Sequence, residues 1–259
     1  YNKVIYKKGS IMMIRKKLIT ASCILFASLS FTACTTNTTN NTTTETKESV
    51  TEENMSKDNV SNEYETEDVR ITNPDEALKR LKEGNDRFVN NESKPVNISS
   101  ERREQLKEGQ HPYAVVVSCS DSRVTPTTVF NAGLGEIFDI RIAGNVVDDD
   151  ALGSIEYGVE HTGAPLVVVM GHESCGAVTA AYDEVHNNAH AEGNIEDLVE
   201  KILPSVKGAK DIDEAIHNNI DNVAKEIKDD DMIKDLVKEN KVKIVKAYYS
   251  LDGKVTFMD

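Results

Sequence analysis

The chain contains no tryptophan, and its aromatics, 8 Tyr and 6 Phe, make up 5% of 259 residues. A fold built around large aromatic clusters is therefore excluded, and aliphatic side chains must fill the core. Proline is scarce, at 6 residues, which excludes an extended polyproline architecture. Basic residues are outnumbered: 44 acidic side chains against 30 basic ones give a formal net charge of −14, which argues against nucleic-acid binding. No apolar run is long enough to span a membrane; the longest, Leu18 to Leu29, falls short of the roughly 20 residues a spanning helix needs.

That apolar run has a context. Residues 1–11 precede Met12-Met13 without a pattern of their own and are read as upstream sequence. Arg15-Lys16-Lys17 then form a positive n-region, Leu18 to Leu29 the h-region, and Phe31-Thr32-Ala33 a small-residue cleavage site before Cys34. The pattern predicts a signal peptide within 1–33 and an exported bacterial lipoprotein lipidated at Cys34. Such a protein is held at the outer face of the cytoplasmic membrane or in the periplasm or outer membrane, by a lipid anchor only. Residues 34–71 are rich in Thr, Asn, Glu, Ser and Lys, too polar to bury a core, and predict a disordered tether.

Residues 72–259 suffice for one domain. Asn73-Pro74 opens a helix running to Val89, and Ser99-Ser100 opens another over 101–108. Tyr113 to Ser118, Phe138 to Ile142 and Leu166 to Met170 read as strands, two of them continuous apolar runs of the kind that fill buried parallel sheets. Helices are expected over 151–160, 195–206 and 212–237, and a terminal hairpin over 242–250 and 254–258, turned at Asp252-Gly253. The alternation predicts an α/β fold: a mainly parallel central sheet with flanking helices and an N-terminal helical arm. In such sheets ligands gather outside the carboxyl ends of the strands.

Past Cys34, cysteine is nearly absent too: Cys119 and Cys175 are all the domain has, each inside a polar motif, Cys119-Ser120-Asp121-Ser122-Arg123 and His172-Glu173-Ser174-Cys175-Gly176. Two cysteines in an exported protein can mean a disulfide. The His172-x-x-Cys175 spacing, with Asp121 and Arg123 beside Cys119, points instead to zinc, because two thiolates and an imidazole form a soft three-ligand set with a fourth position left for water.

These motifs resemble those of the β class of carbonic anhydrases. Gly133 to Asn145, Ser154-Ile155-Glu156-Tyr157 and Ala247 to Leu251 extend the likeness over the domain. The resemblance implies a β-carbonic-anhydrase-like fold and reversible hydration of carbon dioxide to bicarbonate and a proton by attack of zinc-bound hydroxide. One Zn²⁺ per subunit would be held by Cys119, His172 and Cys175. Asp121, paired to Arg123, would accept a hydrogen bond at the metal, or serve as fourth ligand in a closed form. Gln110 matches a family glutamine that reaches substrate from a neighbouring subunit; Phe138, Ala143 and Tyr157 match pocket-lining positions, and a homodimer or higher homo-oligomer is implied. A regulated subgroup carries a tryptophan where this chain has Val116, so the open-site form is expected, although Arg141 matches that subgroup's bicarbonate-binding arginine. His186 and His190 are better read as solvated than as proton shuttles. Hydrolysis of carbonyl sulfide or carbon disulfide on the same site, and non-enzymatic zinc binding, are the competing readings.

Overall fold

The computed structural model describes residues 70–258; the expected signal peptide, Cys34 and the expected tether up to residue 69 lie outside the described residues. Helix α1, Pro74–Val89, begins at an Asn73 cap whose side chain accepts from the amides of Asp75 (2.8 Å) and Glu76 (3.2 Å), with Pro74 in the first turn where it needs no amide. Its buried face is Ala77, Leu81, Gly84 and Asn85, the i, i+4, i+7, i+8 stripe of a helix lying on a sheet. Gly84 permits close approach, since a Cβ there would collide with the Phe130 carbonyl.

Five strands follow in the chain: β1 (Ala114–Ser118), β2 (Ile137–Arg141), β3 (Leu166–His172), β4 (Lys243–Tyr249) and β5 (Val255–Met258). They form one sheet in the order β2-β1-β3-β4-β5, parallel except for the β4–β5 hairpin. The central strands are dry on both faces: all of β1 and all of β3 are buried. Val115, Val117 and Cys119 join the core formed with α4 (Asp149–Glu160), α5 (Gly176–Asn187), α6 (Asn194–Val206), α7 (Ile212–Asp229) and α8 (Asp231–Lys238). Ala114 and Val116 face the other core, beneath α1 and the short helix α3 (Pro126–Val129). Burying each Val or Leu of these strands contributes on the order of 1.5–3 kcal/mol, which makes the sheet the stable frame.

The expected α/β architecture is present, with differences at the element ends. The second helix, α2, is Ser100–Gln105 and stops short of Glu108. None of its residues is buried, so nothing holds a further turn, and Lys107 and Glu108 bond back three residues instead of four. Of the N-terminal helical region, α1 packs on the chain's own sheet, while α2 buries none of its residues and is tied to the domain by Arg102 Nε donating to the Leu134 carbonyl at 3.1 Å. The expected 212–237 helix is two: Asp230 (φ −61°, ψ 134°) leaves the helical region, and its carboxylate caps α8 by accepting from the Ile233 amide at 2.9 Å. Strand β3 continues through Gly171 to His172. Helices α3 and α5 have no counterpart among the sequence-based expectations; α5 starts without a side-chain cap.

Asn85 ties the two halves of the α1 layer together. Its amide donates to the carbonyls of Val129 (3.2 Å) and Gly253 (2.8 Å), and its Oδ1 accepts from the Val255 amide (2.8 Å), all buried. Asn85→Leu should strand these groups and cost about 2–4 kcal/mol. Urea unfolding should show a lower midpoint at unchanged slope; a loss under about 0.5 kcal/mol would mean the bonds contribute little net.

Candidate metal centre

Adjacent parallel strands deliver the donors. Ser118 is paired with Met170, so Cys119 follows that rung by one residue on β1 and His172 by two on β3, both at the carboxyl end of the sheet. Ser174 then adopts a left-handed conformation (φ 56°), and Cys175 sits just before α5. A left-handed serine is uncommon, and here it turns the chain so that residues 172 and 175 serve one point. The two sulfurs and a ring nitrogen of His172 lie within 4.8 Å of one another, on the scale that an ion bound at about 2.0–2.3 Å spans. All three residues are buried, and both cysteines are free thiols rather than a disulfide.

The imidazole is prepared for one role. Nδ1 lies 2.9 Å from the Glu173 carbonyl, to which it donates when protonated there, and this leaves Nε2 as the free lone pair. Nε2 is buried without a hydrogen-bond partner, so a ligand at that atom would satisfy it. Glu173 is itself held: its amide donates to Tyr249 O (2.8 Å) and its carboxylate accepts from the Leu251 amide (2.8 Å). The donor set thus fits zinc in ligand type, in number and in the support behind the histidine.

Cys119 receives N–H bonds to sulfur from Asp121 (3.4 Å) and Gly144 (3.3 Å). Gly144 has φ +70°, which favours glycine, and a Cβ there would meet the Cδ1 methyl of Ile202. Its carbonyl accepts from Asn219 of α7 (2.8 Å), whose Oδ1 accepts in turn from Ser205 (3.1 Å). Without metal, Cys175 donates to the Cys119 sulfur; that bond pulls Cys119 down from the usual thiol range and pushes Cys175 up, and burial adds to the rise at Cys175.

Beside this set, Arg123 clamps Asp121. The Arg123 backbone N and Nε each donate to Oδ1 at 2.9 Å, and Nη2 donates to Oδ2 at 2.7 Å. The guanidinium holds the Asp121 carboxyl well below the usual carboxylate range, so it stays ionised. Asp121 is not part of the three-residue donor group.

The expected pocket residues divide. Ala143 opens the single helical turn Ala143–Asn145, next to the Gly144 that bonds Cys119. Phe138 pairs with Val115, four residues before Cys119, and its ring lies tilted at 40° to that of Tyr157 with centroids 6.2 Å apart; Tyr157 is 50% exposed. Gln110 is exposed and precedes β1, so the length of that strand, roughly 15 Å, separates it from Cys119. Phe138, Tyr157 and Gln110 therefore do not meet the metal donors within one chain. His186 stacks on Tyr182 at 4.1 Å, and His190 is exposed in the loop after α5. Asn219 and the backbone-binding role of Arg141, described below, escaped sequence reasoning.

Because Cys175 holds its proton in the metal-free protein, zinc must displace it. Affinity should therefore rise with pH, roughly tenfold per unit for each proton released. Competition against a chromogenic chelator between pH 6 and 8 measures this; a flat profile would mean both sulfurs are already thiolates.

The family profile described as "Carbonic anhydrase" matches residues 114–255, more than half of the chain. Carbonic anhydrase 2 of Mycobacterium tuberculosis is 47% identical over 135 residues, 52% of this chain and 65% of that protein. The carbonic anhydrase of Mycolicibacterium smegmatis is 44% identical over 135 residues, 52% of this chain and 66% of that protein. The match thus spans just under two thirds of these relatives' own lengths. Among solved structures, a tetrameric β-carbonic anhydrase of the ascomycete Sordaria macrospora aligns with a TM-score of 0.55 at 21% identity, covering 60% of this chain and 85% of its own. That identity speaks for the fold alone, and the sheet order, the strand-end donors and the profile match converge: the chain belongs to the carbonic anhydrase family and has the β-class fold.

Proposed function

We propose that this protein catalyses the reversible hydration of carbon dioxide to bicarbonate and a proton, with one Zn²⁺ per subunit held by Cys119, His172 and Cys175. The observation that carries the proposal is the bare, buried Nε2 of His172 facing two buried sulfurs, with an ionised carboxylate clamped alongside. Zinc, when bound, supplies the Lewis acidity that makes water a nucleophile near neutral pH.

The chain supplies the rest. Two thiolates donate more charge to a metal than imidazoles do, and this opposes the acidity needed. Asp121 can offset it only by accepting a hydrogen bond from the nucleophile, which its fixed carboxylate is free to do. Arg123 takes two acceptor positions on Oδ1 and one on Oδ2, which leaves one position on Oδ2 free. The same clamp keeps the carboxylate ionised and prevents it from turning. Gly144 and the Asp121 amide stabilise charge on Cys119, and Glu173 O fixes the histidine tautomer.

Carbon dioxide is small and apolar, and its pocket needs apolar walls. Ala143 provides one. Phe138 and Tyr157 would provide the others and Gln110 a hydrogen bond to substrate, from a second copy of the chain, which is why we infer at least a homodimer. Half-exposed Tyr157 and exposed Ile98 and Leu134 support such a contact. Upstream, the lipobox-like segment ending at Cys34 supports export and attachment to a membrane surface by lipid alone.

Stopped-flow hydration with a pH indicator tests the reaction. The zinc-loaded wild type should be fast, Asp121→Asn should lose roughly 10²-fold or more at unchanged zinc content, and Gln110→Ala should lower kcat/KM about tenfold while light scattering gives at least a dimer mass. Stoichiometric zinc with no hydration would reject the proposal, and a fully active monomer would reject the shared pocket. Cys34→Ser expressed in a bacterium should move the protein from the membrane fraction to the soluble exported one; unchanged fractionation would exclude the lipid anchor.

A further inference from the structure

We propose that Arg141 is a positioning residue of the metal centre. In this account its guanidinium grips the backbone on both sides of Ser120, keeps Cys119 aimed at the metal, and keeps Asp121 turned toward Arg123 and out of the donor set. The inference rests on the metal-centre assignment of Cys119, His172 and Cys175.

Arg141 ends β2 directly opposite Ser118, the last residue of β1. From there Nε donates to the Cys119 carbonyl at 3.1 Å and Nη2 to the Asp121 carbonyl at 2.6 Å. The hydroxyl of the residue between, Ser120, donates to the Arg141 carbonyl at 3.1 Å. Three consecutive residues of the loop are therefore bonded to one residue of the neighbouring strand. The next residue continues the tie, with the Ile142 amide on Ser118 O at 3.1 Å, and Gly144 reaches the Cys119 sulfur two residues later.

This arrangement limits what the loop can do. For the Asp121 side chain to swing into the donor set, the backbone at 120–121 must rotate, and that rotation carries the Asp121 carbonyl off Nη2. The same carbonyl accepts from the Val124 amide at 3.0 Å, so the turn that presents Arg123 loosens with it. Lysine cannot replace the grip, because one ammonium point charge does not span two carbonyls as a planar fork does. Two of the donors through which an arginine at this position would bind a free anion are thus already committed inside the chain.

The test uses the full chain, loaded with zinc or with cobalt(II), as wild type, Arg141→Met and Arg141→Lys. Both variants should release zinc to a chelator about tenfold faster or more. Their cobalt(II) visible spectra should differ from wild type, and adding Asp121→Asn should abolish that difference, because Asp121 is the ligand that enters. Variants with wild-type release rates and spectra would overturn the proposal. So would a spectral change that persists in the Asp121→Asn background. If Arg141→Met does not fold by circular dichroism, Arg141→Lys, which keeps the stem and the charge, carries the comparison. A wild type that takes up no metal would overturn the metal centre itself and the clamp with it, before any variant is compared.

Discussion

Two sulfurs and an imidazole nitrogen cannot be kept together in a dry interior unless something takes the place of their protons and their water. Everything around the site answers that constraint. The three residues are among the most buried polar groups of the domain, and each is supported by a backbone group that cannot wander: the Glu173 carbonyl behind His172, the Gly144 and Asp121 amides on Cys119, and the start of α5 beneath Cys175. A buried polar group is costly until fully partnered, so such a centre defines its own surroundings.

The sheet supplies rigidity where the chemistry needs it. Strands β1 and β3 are neighbours and buried throughout, with β3 running two residues past the rung at which β1 ends, so the packing of valines fixes His172 on its strand and the root of the loop that carries Cys119. Helix α7 serves twice. Ile216 and Ile220 lie against Gly171 of β3, while Asn219, between them on the helix, reaches the Gly144 carbonyl. The polar chain from Ser205 through Asn219 to Gly144 therefore couples the packing of α6 and α7 to the environment of a metal-binding sulfur.

Much of this was legible in the sequence because it is local. The donors and the Asp121–Arg123 pair fall within two short motifs, the apolar runs mark β1 and β3, and Asn73-Pro74 announces α1. What was not legible depends on contacts between distant segments. Nothing near Asn219 or Asn85 shows that their amides find partners 75 and 168 residues away. The break at Asp230 was hidden because an aspartate serves equally in an exposed helix face and as a cap, and only packing decides. Helix α5 was missed because its small residues carry a weak periodic signal and its cap position is a cysteine already assigned to the metal.

The ends of β1 do different work: one leads into Cys119, the other leads back to Gln110 and lies beside Phe138, which packs with Tyr157. If two copies pair as proposed, every complete pocket is a chimera of two chains. A lesion at residue 119 and a lesion at residue 110 would then fall in different functional units, and a cell expressing both defective alleles would recover some intact sites. Heredity would record the geometry of the sheet as complementation between mutants that are each inactive alone.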